Sequence, residues 1–223
     1  MPTPTLKDFV IVTSNAQKIA EYQRFAGNEL RVAPGEDLPE VLGTPDEIIL
    51  HKALLAGEGR MVEDAIMWID GEAHVDVKWK IPALLRGEYP IGAKLVWEVR
   101  LGVLHEGVVY AYLGQTHGTI QAFDTEGFGM DPVFRVDGVG KSLSRLAVEN
   151  VKDDYSARRF ATTNVFDAKP YLAINRDAIP EWGGAWQNDD QPPVSKETTQ
   201  APQDAAAKRS RVSSKHADGN ALG

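Results

Sequence analysis

The segment that most constrains the fold is a short apolar run, Phe9-Val10-Ile11-Val12, followed without a spacer by Thr13-Ser14-Asn15-Ala16-Gln17-Lys18 and then by Ile19-Ala20-Glu21-Tyr22-Gln23-Arg24-Phe25. A β-branched run that ends in small polar residues and opens a helical pattern is a strand feeding a helix. Backbone N–H groups at the helix start and a lysine in its first turn then converge on one spot, which is an anion site. Leu30-Arg31-Val32 reads as a second short strand, and residues 33–40 read as a loop rich in Pro, Gly and acid. A second helix begins at Asp46, with Ile49, Ala53 and Ala56 at helical spacing.

The rest of the chain reads mainly as β structure. Ala65–Ile69 is a continuous apolar run that ends at Asp70-Gly71, a buried strand delivering an acid to its exit loop. Residues 95–104 and 108–113 flank the turn His105-Glu106-Gly107 as a hairpin. Gly118-Thr119-Ile120 leads into the turn Gly127-Phe128-Gly129-Met130-Asp131-Pro132, Val133-Phe134 resumes the sheet, and residues 156–166 form a last amphipathic helix. The expected fold is α/β: one domain over residues 1–182, with a mixed sheet flanked by helices. Residues 183–223 turn to Gln, Pro, Ser, Thr and Ala and read as a disordered polar tail. Its basic patch, Lys208-Arg209-Ser210-Arg211, reads as solvated charge.

Composition narrows the chemistry. The 223 residues include no cysteine, which excludes disulfides, thiolate nucleophiles and zinc–thiolate centres. The net charge of −8 argues against general binding to nucleic acid. A polyanionic ligand therefore calls for a local basic pocket or a divalent metal. No apolar stretch reaches the roughly 20 residues that span a bilayer, and the N-terminus lacks the layout of a signal peptide. A cytoplasmic location, without membrane contact, is the expectation.

Four stretches together resemble the non-canonical purine nucleoside triphosphate pyrophosphatases, the inosine triphosphatase family, and its eukaryotic branch most. They are Val12–Lys18; Asp37–Glu40 with Gly43–Ile48 and Lys52; Gly127–Phe134; and Lys152 with Ser156-Ala157-Arg158. The resemblance covers roughly residues 8–165 and implies a long twisted mixed sheet with two lobes around a nucleotide cleft. It implies hydrolysis of ITP-, dITP- or XTP-like substrates to the monophosphate and pyrophosphate, with Mg²⁺ or alternatively Mn²⁺, by a homodimer that cleanses the nucleotide pool. The alternative on the same fold is a nucleotide-binding protein that has lost hydrolysis.

By the resemblance, Glu40 and Asp70 hold the metal, and Asp70 also activates the attacking water. Thr13, Ser14, Asn15, Lys18, Lys52, Lys78 and Lys152 grip the triphosphate or the nucleotide, and Lys18 assists catalysis. Phe128, with Gly129 and Met130 in the same turn, offers a face for the purine, while Asp131 and Arg158 read its edge. Arg158 donating to a 6-oxo group passes hypoxanthine and xanthine and rejects adenine. The aromatic-rich hairpin around residues 95–113 is expected to be exposed and to form the dimer contact.

A competing register puts the acid pair at Glu63-Asp64, because Val62-Glu63-Asp64 resembles the eukaryotic motif. The Asp70 register is preferred since Ala65–Ile69 is the stronger strand and the segment before it stays helical in pattern. Several positions depart from the family: Ile69-Asp70-Gly71-Glu72 has one acid where two are usual, the loop between Asp70 and Lys78 is short, Ala157 replaces a histidine, and Ile48 stands where bacterial members have Asn.

Overall fold

The computed structural model describes residues 8–27, 31–35 and 38–187. Strand β1 (Val10–Thr13) runs into helix α1 (Ala16–Ala26) through Asn15, whose side chain accepts hydrogen bonds from the Gln17 and Lys18 amides. This cap satisfies two of the N–H groups that a helix start leaves unpaired. β2 (Arg31–Pro34) then pairs parallel to β1. Helix α2 (Pro45–Ala56) starts with a capping box in which Thr44 and Glu47 satisfy each other's backbone N–H, with Pro45 in its first turn.

β3 (Arg60–Ile69) joins the other side of β1, again parallel, and folds back on β4 (Glu72–His74). After α3 (Val77–Leu85), the long hairpin β5 (Lys94–His105) and β6 (Val108–Ile120) extends the sheet. β7 (Phe134–Val136), α4 (Leu143–Val148), α5 (Ala157–Phe166) and β8 (Leu172–Asn175) complete the order. The sheet reads β2-β1-β3-β5-β6-β7, with β4 on β3 and β8 on β6.

Strand order reverses at β1. The connection to β2 leaves on one side and the connection to β3 returns on the other, so right-handed crossovers put α1 and α2 on opposite faces. The core agrees. Tyr22 and Ala26 of α1 pack with Ala157, Ala161 and Val165 of α5 in one cluster, while Ile49, Leu50 and Ala53 of α2 pack with Val62 and Leu104 in another. Two glycines let the helices approach the sheet. A Cβ on Gly102 would lie 2.8 Å from Ile49 of α2, and a Cβ on Gly114 would lie 2.0 Å from the Ala157 carbonyl oxygen at the start of α5.

Three expectations are corrected. β3 begins at Arg60, so Glu63-Asp64 is strand rather than helix: the segment pairs with β5 from Met61 to Ile69, and that ladder overrides its helical pattern. The β5–β6 hairpin is not an exposed aromatic surface. It lies inside the sheet, Tyr112 is fully buried, and Tyr110 and Trp97 pack into the α1–α5 cluster. The tail does not begin at Gly183, because Trp186 bridges Val41. The basic patch Lys208–Arg211 lies outside the described residues. Among those described, no helix is long and apolar enough to cross a membrane.

Candidate active site

β1 and β3 share only two register positions, Val10 with Arg60 and Ile11 with Met61. Beyond them β1 turns away into α1, and the β3 edge from Val62 onward faces a cleft. Clefts of this kind form outside the carboxyl ends of strands where sheet order reverses. This one has a volume of about 400 Å³ and is lined by polar groups. Thr13, Ser14 and Asn15 come from the β1–α1 loop, Lys18 from α1, Glu40 from the β2–α2 loop, Lys52 from α2, and Lys78 from α3.

Neighbouring residues on β3 point to opposite faces, and this separates the roles of its two acids. Glu63 faces α1 and α5, where Arg158 holds it with two bonds, Nε at 2.7 Å and Nη2 at 2.8 Å. Lys18 Nζ lies 3.1 Å from Glu63, and the fully buried Tyr22 hydroxyl also donates to it. Burial pushes the Glu63 carboxyl up, but Arg158 and Lys18 outweigh it and hold the group well below the usual carboxylate range. Burial, with the Glu63 charge beside it, raises the Tyr22 phenol.

Asp64 faces α2. It is 5% exposed, and its Oδ1 lies 3.8 Å from Lys52 Nζ, which also pairs with Glu40. Its other oxygen, Oδ2, is buried without a hydrogen-bond partner among the described residues. Burial pushes the Asp64 carboxyl up to about 7, against the pull of Lys52 and with the added push of Glu40. Burial alone would lower Lys52, but Asp64 and Glu40 hold its ammonium above the ordinary lysine value. Two carboxylates thus converge on one cation: Glu40 and Lys52 line the cleft, and Asp64 meets Lys52 from outside that lining.

Asp70 is not part of this group, which corrects the preferred register. It closes the two-residue turn between β3 and β4 with a positive φ of 49°, and its Oδ1 accepts from the Lys94 amide at 2.8 Å. Asp tolerates that backbone better than most residues. Six residue steps along the strand separate it from Asp64, or ~20 Å. Placing Asp70 beside Glu40 is therefore excluded by the length of β3.

A second, mostly apolar cavity of about 100 Å³ adjoins the first across the Glu63–Arg158 pair. Phe128, Gly129, Met130 and Asp131 line it from the turn before β7, Lys152 from the segment before α5, and Arg158 from α5. Phe128 is 61% exposed at its mouth. Asp131 pairs with Lys152; burial raises its carboxyl despite that lysine. Arg158 also donates to Glu21, so among the described residues three of the five N–H donors of its guanidinium are engaged by acids and two remain.

The sequence reading did not assign Tyr22, Glu21 or Gln187 to the site. Tyr22 and Glu21 follow Lys18 by one helical turn, and that spacing was the available signal. Gln187 lies in a stretch without apolar pattern and gave none.

Two carboxylates with a buried, unpartnered oxygen fit a small hard cation. Mg²⁺ is held by one or two carboxylates, with waters and phosphate oxygens completing its shell. Among the described residues, no cluster of three or more His, Cys, Asp or Glu side chains could hold a metal by themselves.

No model of a known protein family matches the chain. A dITP/XTP pyrophosphatase of Acholeplasma laidlawii is 32% identical over 84 residues, a stretch that spans 37% of this chain and 38% of that curated relative. Among solved structures, the Staphylococcus aureus Ham1 protein superposes with a TM-score of 0.54 at 19% identity, covering 71% of this chain and 96% of that one. A HAM1 protein from Coxiella burnetii gives the same TM-score and identity, with 71% and 97% covered.

Proposed function

We propose that this chain, which has the Ham1 fold, hydrolyses non-canonical purine nucleoside triphosphates of the dITP and XTP kind to the monophosphate and pyrophosphate. The observation that carries the reading is the pairing of two cavities: a polar cleft lined by Glu40 and Lys52, with Asp64 paired to Lys52 at its wall, joined through Glu63–Arg158 to an apolar slot fronted by Phe128. The 32% identity to a dITP/XTP pyrophosphatase supports the same class. A homodimer working in the cytoplasm belongs to this reading on the strength of the family resemblance.

The triphosphate brings about four negative charges into an acidic protein, so attack at phosphorus requires local neutralisation. Lys18 and Lys52, with the N–H groups at the start of α1, supply it on the cleft side. Glu40 and Asp64 are the residues that would hold Mg²⁺, which when bound offsets phosphate charge and polarises phosphate oxygens. Asp64 is the carboxylate that takes a proton from the attacking water. The new oxygen bond forms at the α-phosphorus as the bridge to the β-phosphorus breaks, and pyrophosphate leaves. A carboxyl raised to about 7 is matched to that task near neutral pH.

In the slot, the purine lies against Phe128, and stacking accepts any base. The two remaining Arg158 donors favour a 6-oxo acceptor over a 6-amino donor by ~1–3 kcal/mol. The test is pyrophosphate release from dITP, XTP and dATP, with Mg²⁺ or with EDTA. The expected result is metal-dependent turnover with kcat/KM for dITP and XTP at least about tenfold above dATP. Equal rates on all three, or rates unchanged by EDTA, would overturn the reading.

A further inference from the structure

Glu40 lies on the β2–α2 connection, outside any helix or strand. The segment that tethers this connection comes from the other end of the described chain. The Gln187 amide donates to the Glu40 carbonyl at 2.8 Å, and the Leu42 amide donates to the Ala185 carbonyl at 2.9 Å. Val41 and Trp186 form an antiparallel bridge between these two bonds, and Gln187 Nε2 donates to the Val41 carbonyl at 3.1 Å. One residue on each side of Val41 is thus pinned through the backbone, as in a minimal two-stranded ladder.

Trp182 anchors the same segment to α2. Its ring packs on His51 with centroids 5.4 Å apart, and a Cβ on Gly43 would meet the ring at 3.0 Å. Its indole N–H closes the segment on itself by donating to the Ala185 carbonyl at 2.9 Å. His51 immediately precedes Lys52, so the strap touches the carriers of both members of the Glu40–Lys52 pair. Gln187 also reaches the wall of the polar cleft.

We propose that Trp182–Gln187 is a positioning strap for the acid Glu40, with the Gln187 backbone N–H as its central tether, and that it sets the cleft's affinity for a divalent cation. The proposal rests on the reading of Glu40 as a cation ligand. Ligand carboxylates bind well only when their approach is fixed beforehand, and loss of the groups that orient a ligand weakens metal affinity about 10–100-fold. A loop acid without the strap samples positions away from Asp64, so the cost falls on cation binding and not on the chemical step.

The experiment compares the full chain with Gln187→Pro, which deletes the N–H donor, and Gln187→Ala, which deletes only the side-chain bond. Mn²⁺ affinity is read from water-proton relaxation, and exchange of the Leu42 amide is read by NMR. Gln187→Pro is expected to weaken Mn²⁺ about tenfold and speed Leu42 exchange, with Gln187→Ala at about threefold. The Mg²⁺ concentration for half-maximal rate is expected to rise in the same order as the Mn²⁺ affinity falls. Parent-like Mn²⁺ affinity and Leu42 exchange in Gln187→Pro would overturn the proposal. Faster Leu42 exchange in a protein whose parent binds no Mn²⁺ would uphold the tether and overturn Glu40 as a cation ligand.

Discussion

Asp64→Asn is expected to lower kcat on dITP by about 10³-fold, while Asp70→Asn stays within about twofold of the parent, as follows from loss of a general base in one case and of a turn contact in the other. The substitution preserves shape and removes only the charge and the basic oxygen. Asp64 Oδ2 is the buried oxygen with no partner, and Asp70 spends its carboxylate on the Lys94 amide at the far end of β3. Steady-state rates on purified variants measure the contrast. Parent-like turnover in Asp64→Asn would remove the acid from the mechanism.

The same residue gives a pH signature. Its folded pKa of about 7 lies above the ordinary 3.8, so the folded protein holds the proton more tightly than the unfolded chain. The resulting stabilisation is complete below the ordinary value and is lost as pH rises through about 7. Without divalent cation, thermal denaturation should show the parent losing stability across this window relative to Asp64→Asn. Turnover moves the opposite way and rises as the carboxyl deprotonates.

Glu63→Gln is expected to destabilise the fold by about 3 kcal/mol, because the largely buried Arg158 keeps only Glu21 as an acid partner and the buried pair is broken. Arg158 is 13% exposed and makes two of its bonds to Glu63, and Lys18 and Tyr22 lose the same partner. For a chain of this size the melting temperature should fall by roughly 10 °C. Base choice should weaken with it, since Glu63 orients the guanidinium that reaches the apolar slot: the dITP to dATP rate ratio moves toward one. Adding Arg158→Met should recover part of the stability, as the orphaned charge is gone, without recovering base choice. A melting temperature within 2 °C of the parent, ~1 kcal/mol or less, would mean that the pair is not the partition described here.

Local chemistry was the readable part of this chain. The entry from β1 to α1 depends on Asn15 and its two following amides, so residues 13–18 suffice to specify it. The turn that carries Phe128 and Asp131 is equally local, held by the bond from the Asp131 amide to the Phe128 carbonyl. What failed depended on distant partners. Glu63-Asp64 breaks the apolar pattern of a strand, and the charges belong there only because Arg158 and Lys52 arrive from α5 and α2.

The Asp70 assignment followed a sound rule, that an acid after a buried strand sits at the site. Here β3 starts five residues earlier than its apolar run, so the site lies mid-strand where β1 departs. On the β5–β6 hairpin both faces are covered by helices, and two-sided burial erases the alternation that tells inside from outside. The strap was invisible for another reason. It is held mostly by backbone hydrogen bonds, which any sequence can make.

The most direct test of the account is the product of dITP hydrolysis followed by ³¹P NMR, with Mg²⁺ and ¹⁸O-labelled water. The expected result is dIMP and pyrophosphate in equal amounts, with the label on the monophosphate, as attack at the α-phosphorus requires. Release of orthophosphate and dIDP, or label in the pyrophosphate, would place attack elsewhere on the triphosphate and contradict the assignment of this cleft.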